Sequence, residues 1–326
     1  MLSSSAVHLN CFFMEVFSTL MAHQKQFTHR QHTVAQWHLR GFTNAEGKFF
    51  RYLQGKPVKW TCPKAECHES DFYEYDFHGR KSDNKFEHLL GQIENNAASR
   101  LPDLLNKVPL SQQGCKDWAL YVASLFVRSR KYRAQISEPM IANLKAQTKE
   151  RNYIADLQYT MFKKGELIAA NELRRSTDEF VTNLEKNPAF YHVAGLQRHT
   201  ASLAAALLQK SWHIVQAPQE KFFLMSDCPV STADVANGSV LPGVGFGKEH
   251  ALVFVPMTPR LVFIAAPRSF GGPAIAPHAF VDSLNLLTVQ FAHTRVFAHV
   301  NMVSIKEFVD REIGLIVFGN NAFLAA

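Results

Sequence analysis

The sequence predicts an α+β fold: an N-terminal β-hairpin region, a central helical bundle and a C-terminal antiparallel sheet. Three observations carry this. β-prone runs bracket a Gly-containing turn early in the chain. A long middle stretch of Ala, Leu and Gln has few helix breakers, and after Ser211 short β-branched or aromatic runs alternate with prolines. The chain has 326 residues, 47% apolar, with 16 Gly and 14 Pro, which suits a sizeable core and excludes a disordered or collagen-like chain.

Taken in order, residues 1–20 hold one charged group, Glu15, inside an apolar run from Ala6 to Leu20. No basic residue precedes Glu15 and the run is too short for a bilayer, so the pattern fits neither a secretory signal nor an anchor. Residues 1–20 read as an upstream extension, and residues 21–326 as one composite domain with sections 21–110, 111–211 and 212–326. In the first section Phe49-Phe50-Arg51-Tyr52-Leu53 and Val58-Lys59-Trp60 flank the turn Gln54-Gly55-Lys56-Pro57, a hairpin signal. Ser82-Asp83-Asn84 offers an N-cap, and Phe86, Leu89, Leu90 and Ile93 recur at helical spacing, predicting a helix from Asn84 to about Leu101 that ends near Pro102.

The second section predicts helices over Lys116–Arg133, which is too evenly apolar for a surface helix, over Asn171–Glu185 and over Tyr191–Lys210. In the third, Trp212–Val215, Lys221–Met225, Ala251–Val255 and Leu261–Ile264 read as strands, interrupted by a helix over about Phe280–His293. Gly238, Gly243, Gly245 and Gly247 mark the segment from Ala233 to Gly247 as a mobile loop.

Charge is unevenly spread. The formal net charge is +7; residues 1–110 hold 13 basic against 11 acidic residues, 111–211 hold 15 against 9 and 212–326 hold 7 against 8, so the excess lies on the helices. A basic helical surface suits nucleic acid or another phosphate-bearing partner. Five scattered Cys do not make a disulfide framework, which predicts a reducing, cytoplasmic setting, and no segment is long and apolar enough for a membrane helix.

Several segments together are similar to one family. His32-Thr-Val-Ala-Gln36-Trp-His-Leu39-Arg-Gly-Phe42 resembles the His-x-Val-Pro-Gln-x-Tyr-Leu-x-x-Phe opening of the bacterial and fungal proteins grouped as domain of unknown function 4238. Asp71-Phe72-Tyr73, Glu87-x6-Glu94 and Ala123-x-Leu125-x-x-Arg128 follow in order, then Phe223-x-x-Ser226-Asp227-Cys-Pro229-Val230, Pro256-x-Thr258-Pro259 and Ala292-x-x-Arg295-Val296-Phe-Ala298. The resemblance covers about residues 29–300. This chain departs from the pattern with Ala35 for Pro, His38 for Tyr and Cys228 for Asn. The resemblance implies positions and an architecture, with no activity attached.

Glu87 and Glu94 lie seven residues apart, which on a helix puts both carboxylates on one face about 10 Å apart along the axis. With His32 and Asp227 they make a candidate catalytic set. Glu94, Asp227 and His32 are also the candidate ligands for a divalent metal, Mg²⁺ or Mn²⁺. The competing structural reading makes the glutamates a solvated face and gives Asp227 an Asx-type role on nearby amides. Arg128, Arg130, Arg133 and Arg295 are the candidate phosphate-binding residues. For Arg128, inside an apolar stretch, pairing with Glu87 or Glu94 is the expected outcome and phosphate binding the sharper alternative.

Cys62-x4-Cys67-His68 with His78 and His88 is a weak zinc pattern that lacks a second Cys pair, and Cys228 has no base tied to it by sequence. Two functions follow. One is an enzyme acting on nucleic acid or nucleotide phosphates, a metal-dependent nuclease or phosphoesterase. The other is a non-catalytic binding or regulatory module in which Glu87, Glu94, Arg128 and Asp227 form a structural ion-pair network. The enzyme needs these side chains to converge on an open cleft, whereas the module needs them paired internally.

Overall fold

The computed structural model describes residues 30–70, 85–139, 188–236, 240–242 and 244–316, together with positions 142, 143, 146 and 182. Residues 1–20, the Asp71-Phe72-Tyr73 match, the Ser82-Asp83-Asn84 cap and all but one position of the helix expected over Asn171–Glu185 lie outside the described residues.

Four short strands open the fold: β1 (Arg30–His32), β2 (Phe49–Tyr52), β3 (Lys59–Thr61) and β4 (His68–Ser70), with helix α1 (Gln36–Arg40) after the first. β1 and β4 pair antiparallel, and β2 and β3 form the expected hairpin with Phe50 opposite Trp60. Helix α2 (Lys85–Leu105) runs through Pro102 rather than stopping before it. Pro102 gives up its own bond to the preceding turn, yet the helix continues past it and Asn106 N–H reaches the Pro102 carbonyl.

Helix α3 (Gln112–Val127) starts earlier than its apolar run suggests, because Ser111 caps it by accepting from Gly114 N–H. It also stops earlier, at Arg128, where Ser129 turns extended and caps a separate short turn. α3 is buried along nearly its whole length, packed between α2 and helix α4 (Pro188–Leu208). Trp118 carries the contact across to the sheet through Phe263, ring centroids 5.8 Å apart.

The C-terminal strands are β5 (Ser211–Gln216), β6 (Met225–Ser226), β7 (Ser231–Asp234), β8 (Leu241–Pro242), β9 (Ala251–Thr258) and β10 (Leu261–Ala266). Five of them form an antiparallel sheet in the order β5-β10-β9-β7-β8. β9, apolar from Ala251 to Met257, is buried at those seven of its eight positions, as a central strand should be. The segment expected as a loop is partly hairpin: Ala233 and Asp234 pair with Pro242 and Leu241. The strand expected over Lys221–Met225 is confined to Met225–Ser226. Before it, the Asn285 side chain accepts from Leu224 N–H and donates to the Phe222 carbonyl, replacing ladder bonds.

Helix α5 (His278–Phe291) leads to β11 (Val296–Ala298), and α6 (Val303–Glu312) follows. β11 inserts between β2 and β6, giving a four-stranded sheet in the order β3-β2-β11-β6. The N-terminal hairpin and the end of the chain therefore share one sheet. One apolar cluster extends from Val34 to Phe297, drawing on all three sections. No helix among the described residues is long and apolar enough to cross a membrane.

Candidate functional site

The opening motif folds as a turn onto the buried helix. α1 presents Trp37 and His38 to α3, where Tyr121 and Trp118 lie one helical turn apart. His38 is fully buried and bridges three elements. Its Nε2 lies 2.7 Å from the Pro256 carbonyl on β9, and its Nδ1 lies 2.8 Å from the Tyr121 hydroxyl. A carbonyl only accepts, so Nε2 carries the proton and Tyr121 O–H donates to Nδ1. Burial, reinforced by Arg128, lowers this imidazole to about 4, so it is neutral and structural. Gly41, just beyond α1, allows this approach, since a Cβ there would stand 2.5 Å from the Met257 carbonyl.

Arg128 lies where α3 ends, 1% exposed, and its Nη1 is 2.5 Å from Glu94 Oε1 on α2. Glu87 lies within electrostatic reach of both. Its Oε2 is buried and has no hydrogen-bond partner, as do the indole N–H groups of Trp37 and Trp118. Burial, with Glu94 adding to it against the pull of Arg128, raises the Glu87 carboxyl from 4.5 to about 7.

Asp227 belongs to a different assembly. Oδ1 accepts from His293 N–H at 2.8 Å, while Oδ2 accepts from Thr294 N–H, Thr294 Oγ1 and Arg295 N–H at 3.0, 3.1 and 3.2 Å. Both oxygens are spent on the turn that aims β11 into its sheet. Nearby, Glu66 is 2% exposed and accepts from Arg51 and Thr61, with Arg295 Nε 3.9 Å away. Lys131, also buried, donates to the Gln290 carbonyl at 3.0 Å.

The expected metal set is therefore not assembled. Glu94 is engaged by Arg128, Asp227 by its four donors, and His32 lies against Gln36 and edge-on to His68. Among the described residues no group of three or more His, Cys, Asp and Glu could hold a metal ion. Of the zinc pattern, His78 lies outside the described residues, Cys67 is buried, with burial and Asp227 pushing its thiol well up, and His88 is exposed on α2. Cys228 is held as a thiol at about 12 by burial and then by Asp227, which is unsuited to a nucleophile. The candidate phosphate-binding arginines each face an acid: Arg128 Glu94, Arg130 Glu69, Arg133 Glu138 and Arg295 Glu66.

A family model described as a protein of unknown function, DUF4238, matches residues 30–301, which contain both assemblies. The chain belongs to this family. No curated protein and no solved structure matches it.

In this DUF4238 chain, sequence reasoning passed over Trp37, His38, Glu66 and Tyr121. A polar ring or carboxylate in an otherwise apolar helix or turn was the available signal, but its partners lie far away in sequence. Glu87 is directly testable by pH. Its folded-state carboxyl is raised above the unfolded value, so its contribution to stability is full below about 4.5 and is lost as pH rises through about 7. Between pH 5 and 8 wild type should lose on the order of 2 kcal/mol more than Glu87→Gln in urea unfolding. Parallel pH profiles would show that Glu87 is not held in this environment.

Proposed function

We propose that this DUF4238 protein is a non-catalytic binding or regulatory module whose charged residues are structural: Glu94 pairs with Arg128, and Asp227, instead of joining them in one network, clamps the turn before β11. The observation that carries this reading is the Glu94–Arg128 pair, closed at 2.5 Å with the guanidinium 1% exposed. A guanidinium so placed serves the α2–α3 packing and is turned away from any phosphate in solvent. The spent oxygens of Asp227 support the same reading.

One observation favours an enzyme acting on nucleic acid or nucleotide phosphates, the nuclease or phosphoesterase alternative. Glu87 keeps a buried oxygen unpartnered and its carboxyl near neutrality, the state a general acid or base requires. Labelled DNA and RNA incubated with the protein, with and without Mg²⁺ or Mn²⁺, separate the two. The module predicts no cleavage above that of Glu87→Gln. Turnover that disappears in Glu87→Gln would overturn it in favour of the enzyme.

A further inference from the structure

We propose that the Trp60 face of the β2–β3 hairpin binds single-stranded nucleic acid, with Trp60 as the stacking platform and Lys48, Lys56 and Lys64 as phosphate contacts. This goes beyond the module reading and holds whether or not the protein is also an enzyme.

Much of the positive charge expected on the helices lies outside the described residues. Eight of the 15 basic residues of section 111–211 fall at 140–187, among which only positions 142, 143, 146 and 182 are described, and the candidate arginines are matched to acids. The hairpin differs. Residues 44–64 hold five basic residues against one acid, Glu46, and only Arg51 is neutralised, by buried Glu66. Lys48, Lys56, Lys59 and Lys64 are exposed, and the amines of Lys56, Lys59 and Lys64 make no ion pair among the described residues. Asp310 on α6 reaches the turn, where it accepts from Gly55 N–H, and it pairs with Lys306.

Trp60 shares its face with Phe50 and has Lys48 beside it, while Lys59 points to the opposite face with Arg51. Trp60 is 40% exposed, packs edge-on against Phe50 at 4.4 Å and has the Lys48 amine 5.9 Å from its ring centre. Phe50 fixes the indole in place, and a base stacking on it would displace Lys48 towards the neighbouring phosphate. β3 is also the outer strand of its sheet. Lysines on an edge strand can serve simply to discourage pairing with another chain. A large exposed aromatic at the same edge works against that purpose, and the combination of stacking ring and lysines fits a phosphate backbone with accessible bases.

The test is fluorescence anisotropy with labelled oligothymidine and oligouridine of about 15 nucleotides, a typical span for such surfaces, and a duplex of equal length. Wild type should bind both single strands, more weakly as salt rises. Trp60→Ala should weaken binding about tenfold. The double charge reversal Lys48→Glu with Lys56→Glu, both at exposed positions outside the strands, should weaken it further and flatten the salt dependence. Trp60→Phe, which keeps a ring, should restore most of the loss and guards against misfolding of the alanine variant. No binding of the single strands at about 0.1 M salt, where such contacts persist, would overturn the proposal. So would equal binding by Trp60→Ala, equal affinity for duplex, or retention on phosphatidylserine vesicles without oligonucleotide binding.

Discussion

Glu94→Leu is expected to destabilise the protein by about 3–5 kcal/mol, the cost of breaking a buried ion pair from one side. The asymmetry of the pair sets the choice of variant. Glu94 retains 23% of its side-chain exposure and could be rehydrated if Arg128 were removed, whereas Arg128 at 1% cannot reach water and cannot lose its proton. Removing the acid therefore leaves the more costly charge behind. Arg128→Leu should cost less, because Glu94 can reach water once the guanidinium is gone. The exposed pair Lys221–Asp282 is the control, at 35% and 57% exposure, and Asp282→Asn should change stability by less than about 1 kcal/mol. Urea unfolding of the three variants at one pH gives the ranking. Equal costs for Glu94→Leu and Asp282→Asn would show that the α2–α3 seam is wet.

Asp227→Ala comes second, at about 3 kcal/mol. Three backbone amides and one hydroxyl lose a charged acceptor, and hydrogen bonds to charged groups contribute roughly 1.5–3 kcal/mol each without adding fully. The turn they hold aims β11 between β2 and β6, so the loss reaches the four-stranded sheet. Asp227→Asn keeps one acceptor oxygen and should recover about half of the stability. The same variants separate structure from metal binding. With Asp227 as a clamp, Mg²⁺ or Mn²⁺ leaves the wild-type melting temperature where it is. A metal-induced rise that Asp227→Asn abolishes would instead make this carboxylate a ligand.

How much of this was legible in the chain depends on how far apart the partners lie. The hairpin at 49–61 could be read because its strands and turn are contiguous. The Asx-type reading of Asp227 was available from its place before a proline turn, although its amides come from residues 293–295, where no local pattern points. Arg128 could be expected to seek an acid, and Glu87 and Glu94 were both offered, because an isolated guanidinium inside an apolar run is untenable. Glu66 was not legible: nothing near it in sequence says that Arg51 and Arg295 converge there. His38 was set aside as a departure from the family pattern, yet its ring joins α1, α3 and β9. Pro102 misled in the other direction, since the helix runs through it to Leu105 despite the bond it gives up.

By itself the sequence determined the α+β class, the positions of most helices and strands, and the types of charged residue that had to find partners. Periodicity, capping residues and the burial cost of a lone charge act over a few residues and leave a local trace. Only the tertiary structure decided that β11 joins the N-terminal hairpin, that Glu94 rather than Glu87 closes on Arg128, and that Asp227 is spent on a turn instead of meeting His32. Those outcomes rest on contacts tens to hundreds of residues apart, selected by packing the whole core at once, and no local pattern encodes them.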